Sequence, residues 1–454
     1  MKLLKNILGV SFSNITKFGT SFIIGFILPA VLSVAAYGYY KEYTLYLSFA
    51  YLVNLGFNDG IYIKYGGKEQ ENLDQETVNA EHNFVFIFQL LILGIMLIYS
   101  LTQGNIVLSL FSIAAFFVSM NTYHQNFLQA TGEFSVYSKS NIYRSVFYVI
   151  ILLIGTLILQ SDNYVVYIVL NILSLVFGFL FFEWHRYKQF GLSKDWNVKG
   201  KFSLFKIGVF ILIANMSLTF VGNVGSWVVN FGFPIEQFAQ YSFQNSILNV
   251  MLLIINAVGM VFYNVISKHE NQSILKVIKE LSLLLGIFAG AGFFVFAFII
   301  EIFLPDYTPA IPLLSMTFLA IPYIMISKIL IANVYKARRS EIKYFKDSFF
   351  FALLSFLLVG GVYLITNSLV AIALATTFAY IFWYVYASRI EFYYLSGGIN
   401  EFILLVSHLV WFYISSNVFS IGIGFIAYLV YLGAVAFIYK DRMQSIVTTH
   451  FMDK

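Results

Sequence analysis

The chain contains no cysteine. That excludes a disulfide, a thiolate nucleophile and any cysteine-ligated metal centre. Charge is scarce too: 11% of residues are charged and 60% hydrophobic, with a mean hydropathy of +0.81. Proline is limited to six residues. A Walker A pattern, an HExxH motif, a paired-carboxylate loop and a Gly-rich phosphate loop are all missing from the sequence. ATP hydrolysis by this chain is therefore not expected, and no cofactor and no metal is assigned.

What is present is a succession of apolar runs, each about 20 residues long, the length that crosses a bilayer core of about 30 Å. They fall near 7–34, 42–63, 82–102, 105–129, 141–160, 163–183, 205–230, 238–266, 281–304, 308–334, 348–366, 368–388, 400–415 and 418–438. The expected fold class is an all-α integral membrane protein with about fourteen transmembrane helices. Spans of about 22 residues use about 310 positions, which leaves short loops and no room for an extramembrane catalytic domain.

The positive charges orient the chain. With the N-terminus in the cytoplasm, every Lys and Arg lies at a terminus or in a cytoplasmic loop except Lys41, outside, and Lys17 and Lys328, within the membrane. The protein is thus expected in the cell (inner or plasma) membrane with both termini on the cytoplasmic side. The net charge of +5 serves topology and contact with anionic lipid head groups, not nucleic acid. Lys2 and Lys5 precede the first apolar run, and Ser33 to Ala36 loosely resembles a signal-peptidase site. The run is too long for a signal peptide and carries Asn14 and Lys17, so it is read as an uncleaved first helix.

Two cytoplasmic connectors stand out. Residues 64–81 are polar and mostly acidic; residues 184–204 are basic. Both read as solvated loops. The second divides the first twelve spans into a bundle over 1–183 and a bundle over 205–390, followed by an extra helix pair and tail over 391–454. A weak internal repeat agrees. Ser13-Asn14-Ile15-Thr16 resembles Ala214-Asn215-Met216-Ser217, and Tyr37-Gly38-Tyr39-Tyr40 meets Phe238-Ala239-Gln240-Tyr241, both at an offset of 201. Asn126-Phe127-Leu128-Gln129-Ala130 resembles Asn333-Val334-Tyr335-Lys336-Ala337 at an offset of 207. Six crossings return the chain to the same side, so the halves form a parallel repeat.

The first two spans, with Ala35 to Tyr39 opening the second, Leu55-Gly56-Phe57 later in it and Lys64 at its end where Arg is frequent, resemble polysaccharide flippases of the multidrug/oligosaccharidyl-lipid/polysaccharide exporter superfamily. The stretch NFLQATGEFSVYSKSNIYR (126–144) is similar to that family's link between helices 4 and 5. The resemblance covers about residues 1–390, and 391–454 fits the fourteen-helix branch. It implies a bilobed transporter that moves a lipid-linked oligosaccharide, of O-antigen, capsule or teichoic type, from the inner to the outer leaflet by alternating access. The partners it implies are a polyprenyl-pyrophosphate-linked saccharide, membrane lipids, and H+ or Na+ as coupling ion.

Lys17 is the leading substrate-binding candidate. It lies about 18 Å into the first helix, near mid-bilayer. A lysine there costs at least about 2.5 kcal/mol and should face a wet cavity or a partner. It either attracts the cargo's pyrophosphate or acidic sugars, or sits in an internal ion pair. Lys328, about two turns from the inner end of helix 10, competes with snorkelling. Asp59 either couples a cation or pairs with a basic residue, Lys64 being within five positions. Glu301 reads as an interface residue and His124 as a packing residue.

Amides cluster on a few helices, and Asn14, Asn215, Gln244, Asn245 and Asn249 are expected to line the substrate path, since neutral donors and acceptors suit a sugar. Interhelical hydrogen bonding is the alternative. Pro29 and Pro322 are positioned to kink helices 1 and 10. Phe (50) and Tyr (32) are too numerous for individual roles and fit lipid-facing surfaces and interface belts.

Four functions compete. The flippase reading leads. A cation-coupled multidrug antiporter of the same superfamily would hide carboxylates in its cavity, whereas the mid-membrane charge here is a lysine. A polysaccharide polymerase or ligase would need a large outer loop, and the outer loops are short. A purely structural protein does not explain Lys17.

Overall fold

The computed structural model describes residues 2–192, 200–268, 271–338 and 340–447, and among them there is no strand. Unit 1 is Met1–Asn223 and unit 2 is Val224–Lys454.

In chain order the helices are α1 (Lys2–Val31), α2 (Val34–Leu47), α3 (Phe57–Tyr65), α4 (Gln75–Thr102), α5 (Ile106–Ala130), α6 (Phe134–Leu153), α7 (Tyr164–Phe190), α8 (Phe202–Gly232) and α9 (Ile235–Lys268). They continue with α10 (Gln272–Ala289), α11 (Gly292–Phe303), α12 (Ile311–Phe318), α13 (Ile321–Met325), α14 (Ala332–Ala337), α15 (Glu341–Ile365), α16 (Leu369–Tyr386), α17 (Ile399–Asn417) and α18 (Ile421–Val447). Among the described residues, ten helical stretches are long and apolar enough to cross a membrane, and a bent pair over Pro305–Phe318 and Ile321–Ala337 makes an eleventh. The helical stretches 34–65, 202–232 and 235–268 occupy the remaining three expected positions. The chain is a multi-pass, all-helical membrane protein.

Helices start earlier than hydropathy expects. α4 begins at Gln75 rather than near 82, because the Asp74 carboxylate accepts the Thr77 N–H at 3.0 Å and caps a polar first turn. The acidic connector 64–81 is therefore partly helical, and one of its acids is not solvated. Glu81 is buried; it pairs with Lys64, accepts the Tyr65 hydroxyl at 2.7 Å and lies 3.5 Å from Lys201. Of the basic connector 184–204, residues 184–190 extend α7, 202–204 open α8, and 193–199 lie outside the described residues.

The second span is broken. Leu55 (φ 50°) and Gly56 (φ 90°) both adopt left-handed backbone, and α3 restarts at Phe57. The break is tied to packing. A Cβ on Gly56 would sit 2.6 Å from Val209 N of α8, and Cβ atoms on Gly60 or Gly208 would strike the backbone facing them. Gly56, Gly60 and Gly208 thus let two helix backbones touch, as small residues do in membranes. Around this crossing Phe57, Ile61, Val85, Phe116, Met120 and Leu204 form a buried core. Lipid-facing side chains are apolar in turn: Leu91, Ile95 and Ile98 are exposed along one face of α4.

In unit 2 the tenth span bends by 54° between Phe318 and Ile321, and Pro322 opens the second arm. Pro29 lies inside α1, near its end. The extra helix pair docks through a buried Lys279 of α10, which donates to Glu401 Oε1 and to the Leu395 carbonyl, both at 2.6 Å.

Candidate functional site

Unit 1 holds a cavity of about 350 Å³ around Lys17. Four further helices build its wall. Tyr40 comes from α2, Val118 from α5, Arg144 and Tyr148 from α6, and Asn171 from α7. The Lys17 ammonium lies 5.4 Å from the centre of the Tyr137 ring. Tyr40 and Tyr148 share a hydroxyl–hydroxyl bond of 3.0 Å, and Tyr43 donates to Asn171 Oδ1 at 2.8 Å. The lining contains two cations and no carboxylate, and neither Lys17 nor Arg144 has an ion-pair partner among the described residues.

Arg144 was missed by charge counting. The charge count groups it with the cytoplasmic link although it is the fourth residue of the 141–160 run, and it sits ten residues into α6 (Phe134–Leu153), inside the apolar bundle. Its stem fits because residue 178 is glycine: a Cβ there would lie 3.1 Å from Arg144 Cδ. The signal in the sequence was the spacing. Tyr137, Asn141, Arg144 and Tyr148 recur at three- and four-residue steps, a polar stripe on one helical face.

The other expected residues do not converge on this cavity. Asn14 lies one turn before Lys17 on α1, half-buried and outside the lining. Asn215 falls within α8, but its side chain lies outside the described residues. Gln244 and Asn245 of α9 are spent on hydrogen bonds within unit 2. Gln244 donates to Asn245 Oδ1 at 2.6 Å and accepts the Thr317 hydroxyl at 2.7 Å; Asn245 donates to Ser226 Oγ at 2.9 Å. Asn249 is exposed one turn further on. Lys328 is exposed in a π-helical turn, Ile326–Ile331, beyond the bend. Asp59 is half-buried in the first turn of α3 and does not pair with Lys64, which is taken by Glu81. His124 is buried and hydrogen-bonded to Glu183.

The architecture is the fold of the multidrug/oligosaccharidyl-lipid/polysaccharide (MOP) exporter superfamily. Two solved structures carry that statement. The lipid II flippase MurJ, in its inward closed conformation, superposes with a TM-score of 0.63 at 16% identity, over 97% of this chain and 100% of that one. An inward-facing multidrug resistance MATE family transporter of the MOP superfamily superposes with a TM-score of 0.53 at 14% identity, over 86% and 98%. No protein-family model and no curated protein sequence matches the chain.

Proposed function

We propose that this protein is a flippase that exports a lipid-linked oligosaccharide from the inner to the outer leaflet by alternating access. The observation that carries the reading is the shared cavity of Lys17 and Arg144. Two cations held within a membrane bundle cost free energy unless an anion or water offsets the loss of hydration. With no carboxylate in the wall, the complementary ligand is itself anionic, and a pyrophosphate head group is one. The tyrosine hydroxyls, Asn171, Ser145 and Ser174 of the same wall provide neutral donors and acceptors for a sugar.

The fold also serves multidrug transporters, so a cation-coupled drug antiporter is the competing reading. A cationic drug would meet two like charges in this cavity, which disfavours it. Asp59 remains the candidate for H+ or Na+ coupling in either case, since the nearby Lys64 does not neutralise it. The purified protein should bind a polyprenyl pyrophosphate-linked saccharide and release it as salt rises. Preferential binding of lipophilic cations, with no binding of the pyrophosphate lipid, would overturn the flippase reading in favour of the antiporter.

A further inference from the structure

Away from the Lys17 cavity, unit 1 gathers three metal-ligating side chains that the transport reading does not use. His82 comes from the start of α4, His124 from the end of α5 and Glu183 from the end of α7. His82 Nε2 lies 2.6 Å and His124 Nε2 2.9 Å from the same oxygen, Glu183 Oε1. Arg186 holds the other oxygen: its Nε donates to Oε2 at 3.0 Å, and its Nη1 donates to Asn79 Oδ1 at 2.6 Å. Both imidazoles are buried.

We propose that His82 Nε2, His124 Nε2 and Glu183 Oε1 form a binding site for one divalent transition-metal ion of the zinc type. Two imidazoles and one carboxylate are a donor set that zinc accepts, with a fourth position left for water. The three ligand atoms already lie within 4.8 Å of one another. Arg186 and Asn79 act as the outer layer that fixes the carboxylate and aims Oε1 at the rings.

Proton bookkeeping permits the exchange. In the metal-free cluster the short contacts are satisfied when both rings are neutral and carry their proton on Nε2, donating to Oε1. Metal binding needs the Nε2 lone pairs, so each ring proton moves to Nδ1 and none is released. His82 Nδ1 is buried and has no hydrogen-bond partner, so the shift breaks no bond at that atom but leaves a buried N–H whose cost the metal–ligand bonds must offset. A small cavity bordered by His124, His185 and Arg186 reaches the cluster, and His185 Nε2, also buried, has no partner.

Arg186 sets the expected strength. A guanidinium on the same carboxylate draws charge away from it, so binding is expected to be weaker than at a carboxylate without one. A bound ion would tie α4, α5 and α7 together at one end of unit 1.

The test uses the full-length protein in detergent with zinc, and with cobalt(II) as a spectroscopic probe. One zinc per chain should bind, cobalt should give the intense visible bands of a four-coordinate N/O site, and zinc should raise the unfolding temperature. Glu183→Gln, which keeps the shape but loses the charge and one acceptor oxygen, and His124→Ala should each weaken binding by about 10- to 100-fold or more. Magnesium should not substitute. Absence of zinc and cobalt binding to the wild-type protein would show that the cluster is only a hydrogen-bonded clamp. Undiminished binding by folded Glu183→Gln would place the ion elsewhere. If a variant does not fold, the wild-type cobalt spectrum decides alone: octahedral, weak bands refute the four-coordinate site.

Discussion

Asn126 and Asn333 make the same hydrogen bond in the two units. Asn126, near the end of α5, donates its side-chain amide to the Asn58 carbonyl at 3.0 Å. Asn333, in α14, donates to the Gly259 carbonyl at 2.7 Å. The two acceptors are 201 residues apart and the two donors 207, the offsets of the internal repeat. Each bond joins the fourth helix of its half to the second. The repeat is thus written in contacts as well as letters. Replacing either asparagine with alanine should cost about 0.5–1.5 kcal/mol, the net contribution of one hydrogen bond, since each helical carbonyl keeps its own backbone donor. Thermal unfolding in detergent would measure it, and an unchanged Asn333→Ala protein would mean that this bond contributes nothing.

The glycine contact between α3 and α8 gives a second prediction. Gly60→Leu should lower the amount of folded protein severely, because the α8 backbone occupies the space a side chain needs. Gly94→Leu, on α4 with open space around it, should be tolerated. Comparable membrane levels for the two variants would contradict the close approach.

The buried Lys279–Glu401 pair predicts how the extra helices are attached. Lys279→Met leaves the Glu401 carboxylate with the Tyr384 hydroxyl but without its cation, and empties the face of the Tyr384 ring. A loss of about 1–3 kcal/mol is expected, since Lys279 is buried but Glu401 is partly exposed and keeps some hydration. Limited proteolysis should then release α17 and α18 first. Wild-type protease resistance would show that apolar packing alone holds them.

Topology is the fourth prediction. Reporter fusions after Lys41, Gln103 and Asp306 should face outward, and fusions after Glu71, Lys194 and Lys454 inward. An outward Lys454 fusion would require an odd number of crossings.

Much of the architecture was legible because lipid imposes one rule on every span: enough apolar length, with the charges at the ends. The same rule hid what lies at those ends. Glu81 reads as a loop acid, yet Lys64, Lys201 and Tyr65 close around it. Arg144 stands at the very start of the 141–160 run and passes for a loop charge, yet α6 starts seven residues before that run and places Arg144 well inside the bundle. The zinc-type cluster was not legible at all. His82, His124 and Glu183 come from three helices with no motif spacing, and only packing makes them neighbours. The Gln244 and Asn245 amides fitted both a polar path and helix contacts; the hydrogen bonds to Ser226 and Thr317 are of the second kind.

The central claim is that positive charge in the unit 1 cavity captures an anionic lipid-linked cargo. Export of the surface glycan should be measured in cells that depend on this protein, at matched membrane levels. Lys17→Ala should cut export by about tenfold or more, the ratio that about 1.4 kcal/mol of lost binding produces. Lys17→Arg should retain most of it, and Arg144→Ala should mimic Lys17→Ala. Normal export by both alanine variants would contradict the account.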